Sequence, residues 1–172
     1  TGVVLDLLES GAIPWRITHN DTKINNVMID ADTDQAVCVI DLDTVMPGAS
    51  LYDFGDMIRS ATSPAAEDER DLSKVAMQMS MFEALLEGYL DAADSFLNDA
   101  EAAHLVTAGK VITMETGMRF LTDHLLGDTY FKVHHEGHNL DRCRTQFRLV
   151  ECIEEQQPAM EKFVGKIRRG KR

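Results

Sequence analysis

Apolar positions along the chain follow two different rhythms. Over residues 27–42 they come in two short runs, Val27–Ile29 and Ala36–Leu42, rich in β-branched residues. The acidic, turn-forming link Asp30–Asp34 separates them. That pattern predicts a β-hairpin. From Leu51 onward the apolar residues step by three or four. One stripe is Val75, Met79, Phe82, Leu86 and Tyr89. A second is Leu105, Ala108 and Ile112, interrupted at Glu115, and a third is Leu140, Cys143, Phe147 and Val150, continued by Ile153 or Glu154. These spacings predict amphipathic helices whose stripes are core, not cofactor boxes. Residues 3–9 predict a further helix end, closed by Gly11 and followed by Pro14. The fold class expected is mainly α with a small β-hairpin, the hairpin preceding four or more helices. Cys38, in the apolar run of the second strand, is expected in the core.

Composition narrows the function classes. The 172 residues are 44% hydrophobic and 27% charged, as in an ordinary globular domain with room for a core. The net charge of −12 lacks the basic face of a general nucleic-acid binder. Three cysteines without a CxxC pair argue against a disulfide framework or a zinc finger, and a reducing, cytoplasmic setting is expected. No apolar run approaches a membrane span, so no membrane partner is expected. No internal repeat is present, and the basic end, residues 166–172, reads as a frayed tail.

The chemistry concentrates before and after the hairpin. His19-Asn-Asp21-Thr-Lys23-Ile-Asn-Asn26 spells H-x-D-x-x-x-x-N in a polar loop, and Asp41-Leu-Asp43 follows the second strand. A hairpin can set the two side by side, gathering carboxylates, an amide and an ammonium. Such a set suits phosphoryl transfer. Hard oxygen ligands hold a metal-bound triphosphate, a carboxylate takes the acceptor's proton, and a lysine neutralises phosphoryl charge.

With these residues in place, the chain resembles the aminoglycoside-phosphotransferase-like kinases of protein-kinase-like fold. The resemblance is carried by THNDTKINNVMID, VIDLDTVMPGASLYDFGDMIR and RFLTDHLLGDTYFKVHHEGHNLDRCRTQ. The first two motifs are those of the kinase superfamily. The third is most similar to N-acetylhexosamine 1-kinases. The resemblance implies a C-terminal catalytic lobe over residues 1–172, with the catalytic loop and metal-binding hairpin in 17–45 and a helical subdomain in 51–165. It implies ATP and Mg²⁺ as cofactors, and a sugar phosphorylated at its anomeric hydroxyl. Asp21 would be the base. Asn26 and Asp41 would be metal ligands, with Asp43 a second ligand or a support for the first. Lys23 would contact phosphate, His19 would pack under the loop, and Asp53 would brace it. Another acceptor, such as an aminoglycoside, choline or an amino alcohol, is the alternative within the class.

Several signals have a second reading. Asp53-Phe-Gly55 spells the DFG of protein kinases, but it opens a helical stretch. Asp41 follows a strand and lies 41 − 21 = 20 residues after the base, so Asp41 is the better metal residue. VCVIDLDTV also fits a phosphatase with Asp41 as nucleophile and Asp43 as acid/base. That fold would need alternating strands and helices after residue 51. His134, His135 and His138 with Glu136 suggest a metal, a loop lining the sugar pocket with His135 in it, or a plain surface loop. Gly137 weakens the helix a zinc motif would need. Arg119 can pair with Asp123 one turn on or touch substrate. Trp15 and Tyr130 can stack on a sugar or simply pack.

The resemblance also implies an N-terminal lobe, with a Gly-rich loop and a nucleotide lysine. Neither appears in this sequence, which opens inside a helix. The expectation is a fragment, inactive or weakly active alone, whose partners are its missing lobe, the sugar and, through the uncovered face, a second copy. A degenerate lobe serving as a binding module is the non-enzymatic alternative.

Overall fold

The computed structural model describes residues 2–93 and 95–171. After α1 (Val3–Glu9) the chain forms β1 (Arg16–Thr18), β2 (Val27–Ile29), β3 (Ala36–Val39) and β4 (Met46–Gly48). Helices follow: α2 (Ser50–Ala61), α3 (Met79–Ala93), α4 (Asp99–Ala103), α5 (Leu105–Leu125) and α6 (His138–Lys171). The expected fold class holds. β2 and β3 form the hairpin, with Val27 opposite Val39 and Met28 opposite Cys38. A second antiparallel pair, β1 with β4, brings Arg16 opposite Gly48 and Thr18 opposite Met46. Three-residue strands carry too little periodicity to read in sequence, so this pair was not expected. Every strand pairing among the described residues is antiparallel, and only helices follow residue 50. The alternating fold required by the phosphatase reading is therefore absent from the described residues.

The core lies between α2, α3, α5 and α6. Phe54 and Ile58 of α2 meet Phe82, Leu86 and Leu90 of α3, Leu105 of α5, and Leu149 and Ile153 of α6, all essentially inaccessible. Of the expected stripes, Phe82, Leu86, Leu105, Ala108 and Ile153 lie in this core, and Cys143 and Val150 are buried as well. Val75 is buried but precedes the helix, after a 3-10 turn at Leu72–Lys74. Cys38 overturns its expectation. β3 is exposed along its whole length, because the two-stranded ribbon presents it to no covering layer among the described residues. No helix among the described residues is long and apolar enough to cross a membrane.

Gly55 explains the DFG coincidence. It lies inside α2, where an added Cβ would stand 2.6 Å from the Ala108 carbonyl oxygen and 2.7 Å from Ile112 Cγ1 of α5. The glycine permits two helices to approach closely and has no role in a metal loop. Gly55→Ala is expected to destabilise the fold by about 1–3 kcal/mol, because a backbone carbonyl cannot move aside as a side chain can. Urea unfolding of the two proteins checks this.

A buried carboxylate ties β1 to the helices. Glu101, fully inaccessible, accepts from Arg16 Nε at 2.7 Å and Arg16 Nη2 at 2.8 Å. Ser50 Oγ donates to it at 2.7 Å and the Asn98 backbone N–H at 2.8 Å. Asn98 in turn accepts from the Glu101 N–H, completing a capping box at α4. One side chain thereby fixes the strand entering the loop from His19 to Asn26, the start of α2 and the N-terminus of α4. Burial alone would push the Glu101 carboxyl up, but the bonds from Arg16, Asn98 and Ser50 hold it below the usual glutamate range. The ionised form favours folding. Its contribution is complete above the unfolded glutamate value and is lost as the pH falls from there through the lower folded value. Glu101→Gln is expected to cost about 3 kcal/mol at neutral pH, since Arg16 loses its anion. Its stability should also fall less steeply than the wild type's between about pH 5 and pH 3. Unfolding curves across that range test both effects.

Candidate active site

The loop from His19 to Asn26 is held from below by α2. Asp53, in the first turn of α2, accepts the His19 N–H on Oδ2 at 2.9 Å and the Asn20 N–H on Oδ1 at 2.7 Å. Thr22 Oγ1 donates to the Asp53 carbonyl at 2.6 Å. Burial pushes the Asp53 carboxyl up in spite of the two N–H groups aimed at it. From the other side the chain after the hairpin is stitched to the loop. Thr44 Oγ1 donates to the His19 carbonyl at 2.6 Å, and Asn20 Nδ2 donates to the Thr44 carbonyl at 3.0 Å. His19 Nε2 lies 3.0 Å from the Ile40 carbonyl, an acceptor, so this nitrogen carries the proton. The ring links the loop to the end of the hairpin, one residue before Asp41.

Two residues here take left-handed backbone conformations without being glycine: Asn20 with φ 63° and Asp41 with φ 62°. Non-glycine residues in this region are uncommon and collect at functional sites. Asn20 is held there by its side chain, which also meets Thr18 Oγ1 at 2.9 Å.

Asp21 follows Asn20. Its Oδ2 accepts from Lys23 Nζ at 2.7 Å and from Asn26 Nδ2 at 2.9 Å. Burial pulls its pKa up, but the Lys23 and Asn26 bonds outweigh this and hold the carboxyl below its ordinary value. Asn26 is buried, and its amide nitrogen also donates to the Asp21 carbonyl at 2.8 Å. With Nδ2 committed to Asp21, Oδ1 is the atom that could ligate a metal. The Ile40 N–H donates to the Asn26 carbonyl at 2.9 Å, extending the hairpin ladder so that Asp41 leaves it beside Asn26. Asp41 and Asp43 are exposed and flank the start of a 3-10 turn at Leu42–Thr44. One amide oxygen and two exposed carboxylates are hard oxygen donors of the kind Mg²⁺ prefers. The residues present therefore fit the metal.

Asp21 also lines a cleft of about 780 Å³ between the loop from His19 to Asn26, α2, α5, the loop after α5 and α6. Arg119 and Tyr130 both line it. The Arg119 guanidinium lies 5.9 Å from the Tyr130 ring centre and 5.5 Å from that of Phe131. The expected pair between Arg119 and Asp123 does not form. Arg119 stands 3.8 Å from Glu115, one turn earlier. Asp123 is turned to the following loop, where it accepts the N–H groups of Thr129, Tyr130 and Phe131 at 2.8–3.0 Å and Asn139 Nδ2 at 2.8 Å. This carboxylate shapes the loop that presents Tyr130 to the cleft. A stripe reading cannot tell a helical carboxylate facing its neighbour from one capping the next loop.

His135 departs from its expected place. It does not line the cleft; its ring lies against Arg70, with Nδ1 3.1 Å from Arg70 Nη2, and 4.5 Å from the His138 ring. Asp68, His135 and His138 bring three ligating atoms within 4.8 Å of one another. Their chemistry does not suit a metal. His138 Nδ1 accepts the His134 N–H at 3.1 Å, so Nε2 keeps its proton and donates it to Asp68 at 3.0 Å. His138 is thus a satisfied core histidine at the start of α6, and Gly137, with φ 75°, ends the loop before it. Trp15 and Tyr130 are both largely exposed.

The residues absent from the sequence reading are Asp56, Arg59, Glu67, Arg142 and Gln146, which line the same cleft. Asp56 and Arg59 lie three apart on α2 and pair at 2.7 Å. In sequence such a pair is indistinguishable from any surface i,i+3 pair. Arg142 and Gln146 lie one turn apart on α6, far from the loop in sequence.

The family model for the APH phosphotransferase enzyme family matches residues 3–105. That span of 105 − 3 + 1 = 103 residues, of 172, takes in the loop from His19 to Asn26, the hairpin and Asp53. Matched over more than half its length, and with this loop and hairpin at its centre, the chain belongs to the phosphotransferase enzyme family, whose kinases transfer phosphate from ATP to small molecules.

Proposed function

We propose that this chain is the catalytic lobe of an ATP-dependent kinase that phosphorylates the anomeric hydroxyl of an N-acetylhexosamine. One observation carries the reading. Asp21 is bonded to Asn26 and lines the cleft that Arg119 and Tyr130 also line. An acceptor hydroxyl in that cleft meets the Asp21 carboxylate, which orients it and takes its proton as the oxygen attacks. Lys23, 2.7 Å from Asp21, keeps the carboxylate ionised and places an ammonium beside the transferred group. Asn26 and Asp41, with Asp43, would hold Mg²⁺, which when bound neutralises charge on the nucleotide phosphates. Exposed apolar side chains on the strands, among them Ile17, Val37 and Val39, support a nucleotide-covering lobe closing over this side.

Charge in the cleft favours an uncharged acceptor. Lys23, Arg59, Arg119, Lys132 and Arg142 contribute five positive groups. Asp21, Asp56, Glu67 and Glu115 contribute four negative ones. In a chain of net charge −12, this is a locally non-acidic cleft. A polycationic aminoglycoside would need an excess of carboxylates there.

The test is phosphate transfer from ATP by the protein at its natural length. The acceptors are N-acetylglucosamine, N-acetylgalactosamine, kanamycin and choline. Sugar 1-phosphate from either N-acetylhexosamine is expected. Transfer to kanamycin or choline alone would keep the kinase and overturn the acceptor. No transfer to any of the four would overturn the proposed acceptor class.

A further inference from the structure

Five buried side-chain polar atoms lack a hydrogen-bond partner among the described residues, and three of them belong to residues that line the cleft. They are Asp56 Oδ2, Arg142 Nε and Gln146 Oε1. Asp56 is 6% exposed and Gln146 3%. Their neighbours explain why the atoms are held in place unpaired. Asp56 commits Oδ1 to Arg59 Nε at 2.7 Å, and Arg59 Nη1 donates to Glu67 Oε1 at 2.9 Å. Glu67 Oε2 pairs with Arg142 Nε at 3.6 Å, beyond hydrogen-bond distance. Arg142 is fixed at its other end, where Nη1 donates to the Lys132 carbonyl and to Asn139 Oδ1, both at 3.1 Å. Gln146 follows four residues later on the same face of α6.

Buried polar groups are nearly always partnered. Three atoms without a hydrogen bond, on residues that line the cleft holding the candidate base, can take a partner from outside the chain. Two of them, a carboxylate and an amide oxygen, ask for donors. The third, a guanidinium N–H, asks for an acceptor. A hydroxyl group supplies both functions, and an acylamino group supplies an N–H and a carbonyl side by side. A cationic amine supplies donors only and leaves Arg142 facing a like charge.

We infer that Asp56, Arg142 and Gln146 form the specificity subsite that reads a second, uncharged polar substituent of the acceptor, an acylamino or hydroxyl group beside the reacting hydroxyl. This rests on the kinase reading and adds to it the residues that choose the acceptor. The subsite discriminates because an acceptor without that substituent leaves the three groups buried and unpaired.

Gln146→Leu keeps the volume of the side chain and removes the orphan oxygen. Without sugar, its thermal midpoint is expected to equal or exceed the wild type's, since an unpaired buried amide has been removed. With sugar, KM for N-acetylglucosamine is expected to rise at least about tenfold while kcat stays within about twofold. The preference for N-acetylglucosamine over 2-deoxyglucose should collapse by a similar factor. Arg142→Lys keeps the charge and removes the Nε donor, and it should show the same KM effect. Wild-type KM and wild-type discrimination in both variants would overturn the subsite and leave the kinase standing. If the wild type transfers phosphate to no acceptor, calorimetric titration of N-acetylglucosamine into wild type and Gln146→Leu decides separately. Binding weakened in the variant upholds the subsite, and equal or absent binding overturns it.

Discussion

Asp21→Asn is expected to lower kcat by about 10²–10⁴-fold, the usual contribution of a positioned general base. The fold should survive. The lost ion pair with Lys23 is partly exposed, with the two side chains 37% and 26% accessible, and such pairs are worth about 1 kcal/mol or less. Asparagine retains an oxygen to accept from Asn26 or Lys23, so the loop keeps its shape. What it cannot do is take a proton. KM for the acceptor should therefore change little, because the amide still accepts or donates to the sugar hydroxyl. Steady-state kinetics together with a thermal melt separates the two effects. Transfer within a few-fold of wild type would remove Asp21 from the base's role, whatever happened to stability. Lys23→Ala provides the graded comparison: the carboxylate remains while its closest ammonium is lost, so kcat should fall by less than in Asp21→Asn.

The second large effect is at Asp53, which does no chemistry. Asp53→Ala removes the acceptor of two backbone N–H groups, those of His19 and Asn20. An unsatisfied buried donor costs about 1–3 kcal/mol, so the pair should cost about 3 kcal/mol or more. Asn20 loses part of what holds it in its left-handed conformation, and Asp21 is the next residue. Activity should therefore fall at least about tenfold at a temperature where the variant remains folded. Asp53→Asn should not rescue it. Each carboxylate oxygen faces a different N–H, and an amide offers one oxygen and one donor to the same two sites. Unfolding free energies of wild type, Asp53→Ala and Asp53→Asn, with kcat for each, test this. A fully stable, fully active Asp53→Asn would show that the loop holds its own shape.

Much of the fold was legible because its signals are local and periodic. Phe82 and Leu86 on α3 and Cys143, Val150 and Ile153 on α6 repeat with the helical period, and all are buried. The hairpin was legible because Asp30 to Asp34 are turn residues between β-branched runs. Cys38 was misplaced for a related reason. Alternation reports which residues are apolar, not whether a second layer covers them, and none does so among the described residues. The β1–β4 pair was invisible because three residues on each side are too few to show a period.

The site divides along the same line. H-x-D-x-x-x-x-N and Asp41-Leu-Asp43 are short spacings in one loop and one hairpin, and local geometry alone brings Asp21, Lys23 and Asn26 within hydrogen-bond distance. Those contacts the sequence determined by itself. The walls of the cleft were decided only by tertiary structure. Asp56 and Gln146 are ninety residues apart, and they share a wall because α2 packs on α5 and α5 on α6. The same packing turns Asp123 toward a loop backbone and leaves Arg119 with Glu115 and the aromatic rings. Spacing along a chain specifies only which residues can meet within one element. Which elements meet, and which buried atoms they leave unpaired, is set by how the whole core closes.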